Sequence, residues 1–192
     1  MNPLSLILAS ASPRRSELLR EAGFEFEVLP RHTDEIAPEY LTPVETAMIN
    51  AYRKARAVAK HEPDHLVLGA DTVVALGTRV FGKPATRDEA AAMLGALAGR
   101  EHEVITGVCL VHLRAHRQRT FADSTRVKFR ALSPAEIRHY LSRINPLDKA
   151  GAYAIQEHGT MIIESVNGSY SNVVGLPLER LKVEMATLGA LP

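Results

Sequence analysis

With 192 residues, 46% of them hydrophobic, the chain can bury a sizeable core and lies at the upper end of the range for one domain. Its 23 basic residues stand against 22 acidic ones, so net charge supplies no drive toward nucleic acid or an anionic membrane, and any affinity for an anion must be built locally. A lone cysteine, Cys109, excludes an internal disulfide and reads as a small core residue in a reducing cytoplasm; no charged-then-apolar leader opens the chain, and no run approaches the ~18 apolar residues of a membrane span.

Strand-like and helix-like stretches alternate. LSLILA (4–9) reads as a strand that feeds a short helix, with Ser12 as N-cap, Pro13 as first helical residue and Gly23 as a left-handed end. FEFEVL (24–29) has the two-residue period of a half-buried strand. TPVE at 42–45 is a capping box that opens a helix to about residue 60, and TRDE (86–89) and SPAE (133–136) repeat the device. Between and after them, segments 65–77, 102–113, 120–132 and 159–170 are rich in β-branched and apolar residues and read as strands, with residues 114–119 joining two of them as a hairpin. Arg126, Lys128 and Arg130 alternate with Val127 and Phe129 and read as a solvated strand face. The fold class is α/β, a mixed sheet flanked by helices, in one domain over 1–192 that is either compact or two-lobed.

Some residues do not suit a purely structural role. Arg14 and Arg15 occupy the first turn of the first helix, where the positive end of the backbone dipole disfavours cations. Two readings are open: solvated side chains or pairs with Glu17 or Glu21, or a phosphate cradle built from two guanidinium forks and the free backbone N–H groups of a strand-to-helix turn. On the second reading, removing either arginine leaves the free protein equally or slightly more stable. Asp71 and Thr72 interrupt an apolar strand, and a buried carboxylate needs a cation, a metal or hydrogen-bond donors, whether for structure or for chemistry. Lys83 sits on a turn restrained by Gly82 and Pro84, Lys54 borders the apolar face of the 43–60 helix, and Glu35 lies in a loop able to supply a second carboxylate.

ASASPRRSELL, GADTVV, GKP, TGVCL, PLDKAGAYAIQ and NGSYSNVVGLPL occur in that order along almost the whole chain, and together they resemble the Maf family of nucleoside triphosphate pyrophosphatases. The resemblance implies an elongated mixed sheet with a nucleotide-binding cleft, of the kind shared with inosine triphosphate pyrophosphatases. It also implies metal-dependent hydrolysis between the α and β phosphates. Asp71 matches the catalytic proton acceptor, and Ser10, Arg14, Arg15, Glu35, Lys54 and Lys83 match phosphate- and metal-handling positions. Arg14, Thr72 and Gln156 match positions tied to substrate choice, and GAYAIQ looks like the dTTP/UTP branch rather than the 7-methyl-GTP branch. Glu157 and His158 depart from the small, glycine-rich continuation expected after Gln156.

On this reading Mg²⁺ or Mn²⁺ is held by Glu35, Asp71 and phosphate oxygens, and no covalent nucleophile is needed. The expected partner is a nucleoside triphosphate, without nucleic acid or membrane, with a homodimer left open. The competing reading is a non-catalytic nucleotide-binding regulator of septum formation acting through a protein partner. Retention of Asp71 argues against it, because a carboxylate beside a triphosphate repels the ligand unless a metal intervenes. Walker and kinase motifs are missing, which disfavours other phosphoryl-transfer folds.

Overall fold

The computed structural model describes residues 5–189; Leu4, the first residue of the expected opening strand, lies outside them, as do both ends of the 1–192 domain. In chain order the elements are β1 (Leu6–Leu8), α1 (Pro13–Glu21), β2 (Phe26–Val28), α2 (Pro43–Ala59), β3 (Leu66–Leu76), β4 (Arg79–Phe81) and α3 (Arg87–Leu97). There follow β5 (Glu101–His112), β6 (Arg117–Phe129), α4 (Pro134–Leu141), β7 (Ile163–Asn167), α5 (Tyr170–Val174) and α6 (Leu178–Thr187). The capping boxes at Thr42 and Ser133 are complete, with each hydroxyl accepting from the N3 amide and each N3 glutamate accepting from the cap amide. At Thr86 the hydroxyl accepts from Glu89 N, but the Glu89 carboxylate reaches back to Ala85 N at 2.7 Å. Gly23 ends α1 at φ 81°, with Phe24 N donating to Leu19 O.

The sheet runs in the order β2-β1-β3-β5-β6-β7, parallel across its first three strands and antiparallel beyond, with β4 folded back onto β3. Helix α2 lies directly on β3 and β5. A Cβ on Gly69 would stand 2.4 Å from Ala51 O, and one on Gly107 2.3 Å from the carbonyl carbon of Ala47, so both strand positions need glycine for the helix to approach. Ala51, Ala55 and Val58 pack with Val67 and Cys109 on this face, while Ala47 meets Val73 and Ile105.

The opposite face carries two separate cores. One gathers Leu18, Leu19, Leu68, Val108, Leu181 and Met185 beneath α1 and α6, and the other gathers Val74, Leu94, Val104, Phe129 and Tyr140 beneath α3 and α4. Between them runs a polar seam. Thr72 and Thr106 pair across strands with Oγ1 atoms 2.9 Å apart, Thr106 Oγ1 donates to Asn172 O, and the fully buried Asn172 amide donates to Val104 O and Thr125 Oγ1.

β3 is covered unevenly along one edge. β1 pairs with Leu66–Leu68 and β4 with Val74–Leu76, which leaves a gap along the middle of β3, just past the carboxyl end of the parallel strand β1. In open α/β sheets this is where ligands enter. Asp71 and Thr72 sit in the gap, and their side chains point to opposite faces by the two-residue period of a strand.

Three sequence expectations need correction. The 159–170 stretch is a strand only over Ile163–Asn167; Gly159–Met161 forms a tight turn after His158, because β7 is the sheet edge and pairs with β6 only over Arg126–Phe129. The hairpin between β5 and β6 is tighter than 114–119, since the strands run on to the His112–Arg117 pair. Helices α5 and α6 were not anticipated, although Leu178, Leu181 and Met185 of α6 have helical spacing.

Candidate active site

Ser10, Arg14, Arg15, Glu35, Lys54, Asp71, Thr72, Lys83 and Gln156 all line one cleft of about 590 Å³ at the gap in β3, a volume suited to a nucleotide-sized ligand. They come from seven places in the chain: the β1–α1 turn, the first turn of α1, the loop before α2, α2 itself, β3, the turn after β4, and the segment before β7.

On the α2 face, the close helix–strand contact sets Lys54 beside Asp71. Lys54 Nζ donates to Asp71 Oδ1 at 2.6 Å and to Glu35 Oε1 at 2.8 Å, and Lys83 Nζ donates to the same Glu35 oxygen at 3.2 Å. Two carboxylates and two ammonium groups thus form one continuous cluster. Burial alone would push the Glu35 carboxyl upward, but the hydrogen bond and charge of Lys54, together with Lys83, outweigh it and bring Glu35 down to about 2. Asp71 is nearly inaccessible, at 4% exposure, and its second oxygen meets Asn50 Nδ2 at 3.3 Å.

On the other face Arg15 acts as a brace. Its Nε donates to Gly175 O at 2.9 Å, Nη1 to Ser10 Oγ at 3.1 Å and Nη2 to Thr72 Oγ1 at 3.0 Å, so three of its five N–H groups join α1, β3 and the end of α5. Burial lowers the Arg15 pKa, opposed by the Asp71 charge. Arg14 is bound more loosely, reaching Asp148 Oδ2 at 3.4 Å and Asp148 O at 3.3 Å. Neither arginine pairs with Glu17 or Glu21. Ser12 makes no side-chain cap bond, so the first-turn amides of Arg14 and Arg15 beside the cleft are left to a ligand or solvent. Arg15 joins three parts of the chain, so its loss is now expected to lower stability, whereas the expectation for Arg14 is unchanged. Gln156 is exposed on the rim, and no hydrogen bond fixes its amide among the described residues.

Glu35 and Asp71 offer hard carboxylate oxygens, the donor type that suits Mg²⁺ or Mn²⁺. No group of three His, Cys, Asp or Glu residues among the described ones makes a complete cage. The pair therefore fits a metal that takes its remaining ligands from phosphate oxygens and water.

The family model described as Maf-like protein matches residues 5–188. The chain belongs to the Maf family. Among its Maf relatives, a protein named dTTP/UTP pyrophosphatase from Geobacillus sp. (strain WCH70) is 47% identical over 184 residues, covering 96% of this chain and 98% of the relative. One of the same name from Gloeobacter violaceus is 49% identical, covering 92% of each chain. The fold is also similar to solved Ham1 proteins from Staphylococcus aureus (TM-score 0.56, 13% identity, covering 96% of this chain and 99% of that one) and Coxiella burnetii (TM-score 0.53, 16% identity, covering 96% and 99%). The Maf fold thus shares its architecture with chains of very different sequence.

Three residues of this Maf site escaped the sequence reading. Asn50, 3% exposed, clamps Ile36 by donating to its carbonyl and accepting from its amide, both at 2.9 Å, and so fixes the loop that carries Glu35. A polar residue in the Ala47, Asn50, Lys54, Val58 row of an otherwise apolar helix face was an available signal. Asp148 and Lys149 also line the cleft, and their importance lies in tertiary pairing that spacing does not reveal.

Proposed function

We propose that the protein hydrolyses dTTP and UTP between the α and β phosphates, releasing the nucleoside monophosphate and pyrophosphate in the cytoplasm. The observation that carries this reading is the joining of two carboxylates, Glu35 and Asp71, to Lys54 and Lys83 in a cleft that also presents Arg14. A cradle that only holds phosphate gains nothing from carboxylates, which repel the ligand unless a metal intervenes. The choice of dTTP and UTP is supported by the shared name of relatives at 47–49% identity.

Each residue has a task that its geometry suits. Arg14 exchanges its long contacts with Asp148 for shorter, charge-assisted bonds to phosphate, and Lys83, half exposed and bound to one carboxylate, does the same. The uncapped α1 amides add donors that need no reorganisation. Arg15 keeps Ser10 and Thr72 in place and leaves two N–H groups for the ligand. Lys54 fixes Asp71 Oδ1, and Asp71 Oδ2, with only the 3.3 Å Asn50 contact, takes the proton from the attacking water. A divalent metal on Glu35, Asp71 and phosphate oxygens supplies Lewis acidity at the α phosphorus when bound. Gln156 on the rim offers both a donor and an acceptor to the imide edge of uracil or thymine.

The test is to incubate the purified protein with a panel of nucleoside triphosphates and Mg²⁺ or Mn²⁺ and identify the products. Monophosphate and pyrophosphate, formed fastest from dTTP and UTP, are expected. Release of orthophosphate, or binding with no turnover, overturns the proposal.

A further inference from the structure

The segment that carries Gln156 is tethered by a buried cation outside the carboxylate cluster. Lys149 is 4% exposed, and its ammonium donates to Asn145 O at 2.8 Å and Asp148 Oδ1 at 3.0 Å and stands 3.2 Å from Glu157 Oε1. A lysine has three N–H donors, and here all three are matched by acceptors, so Lys149 has none left for phosphate although it lines the cleft. Its partners bracket the wall of the site. Leu147, Tyr153, Ala154, Ile155 and Gln156 all line the cleft between Asn145 and Glu157.

The same arrangement reaches the phosphate side. Asp148 accepts from Lys149 Nζ at Oδ1 and from Arg14 Nη1 at Oδ2, so one carboxylate links Lys149 to the first turn of α1. Glu157, which departs from the expected small continuation, is the residue that closes the far end of the loop. His158 follows it at φ 57°, a left-handed conformation unfavourable for a side-chain-bearing residue. Replacing a buried ion cluster by apolar side chains often costs little stability, so fold stability alone is a weak account of Lys149, and definition of one loop geometry is the better one.

We propose that Lys149, with Glu157, is a positioning residue for base selection: it holds the 145–157 segment so that Gln156 meets the base while Arg14 meets the phosphates. This rests on dTTP and UTP being the preferred ligands. Lys149 touches neither base nor phosphate, and its effect is read through Gln156.

The test measures dissociation constants for non-hydrolysable α,β-methylene analogues of dTTP and CTP with wild type, Lys149→Met, Glu157→Ala and Glu157→Gln, each below its own melting temperature. Binding does not require turnover, so a protein that selects the thymine analogue without hydrolysing dTTP fails the proposed function and leaves this inference standing. Lys149→Met and Glu157→Ala are expected to lower the dTTP-over-CTP preference about tenfold, the scale of a sub-ångström misplacement of a binding group. Glu157→Gln keeps an acceptor for Lys149 and is expected to retain most of the preference. Glu157 is partly exposed, so its variants report even if Lys149→Met does not fold. An unchanged preference in Glu157→Ala, or wild type without preference, overturns the proposal.

Discussion

Arg14 and Arg15 are adjacent, identical in type and both set against the α1 dipole, yet the structure predicts unequal stability effects for their loss. Arg15→Ala removes hydrogen bonds of 2.9, 3.1 and 3.0 Å from a charged donor to Gly175 O, Ser10 Oγ and Thr72 Oγ1. Hydrogen bonds to charged groups contribute about 1.5–3 kcal/mol each, but the loss is smaller here than three such terms. The Ser10 and Thr72 hydroxyls retain Ser12 N and Thr106 Oγ1 as partners, and water enters from the cleft. Removing a cation from the helix N-terminus returns about 0.3–1 kcal/mol. The net expectation is a loss of about 2 kcal/mol, or a Tm lower by about 4–8 °C for a chain of this size. Arg14→Ala forfeits only contacts of 3.3–3.4 Å to a half-exposed Asp148 and regains the same dipole term, so its stability stays within about 0.5 kcal/mol of wild type. Urea melts with equal slopes, run without nucleotide, separate the two. If Arg15→Ala is as stable as wild type, or Arg14→Ala loses as much as Arg15→Ala, the brace described for Arg15 is wrong.

Asp71→Asn is expected to fold and bind nucleotide while turnover falls about 100-fold or more, the scale of a lost general base; Lys54 keeps Glu35 at 2.8 Å, so no buried cation is orphaned. Single-turnover assays beside a melt check this, and wild-type turnover contradicts the role of Asp71. Gln156→Glu keeps the size of the side chain and removes its donor, so catalytic efficiency on dTTP and UTP should fall more than on CTP and GTP; an equal loss on all four means that Gln156 shapes the site without choosing the base. His102 is 2% exposed, bonds Tyr153 Oη at 2.8 Å, and is held by burial at about 4 rather than its ordinary 6.5. The unfolded chain therefore binds the extra proton first as pH falls, and stability drops by about 3 kcal/mol between pH 6.5 and 4 from this group. His102→Gln should flatten that part of the pH–stability curve, and an unchanged slope counts against a buried neutral imidazole.

Much of this fold follows from local chemistry that the chain writes out in order. Thr42 and Ser133 cap their helices because a hydroxyl three residues before a glutamate satisfies both sets of orphan amides without tertiary help. Strands β3, β5 and β6 were readable because β-branched and apolar runs of that length have few other uses. Some candidate site residues stood out for a related reason: Asp71 interrupts an apolar strand and the arginines break the dipole rule, whereas Glu35, Lys54, Lys83 and Gln156 were singled out by the resemblance to the Maf family. What tertiary structure alone decided is which partner each of those residues meets. Nothing in the spacing says that Arg15 reaches Gly175, 160 residues away, or that Lys149 joins Asp148 to Glu157, because these contacts depend on how the chain is brought back to the edge of β3, just as Lys54 meets Asp71 only because Gly69 and Gly107 let α2 approach. Helix α5 is the clearest instance. Five residues are too few to hold a helix by propensity, and it stands because the buried Asn172 amide donates to Val104 O and Thr125 Oγ1, acceptors that come together only once the sheet has formed.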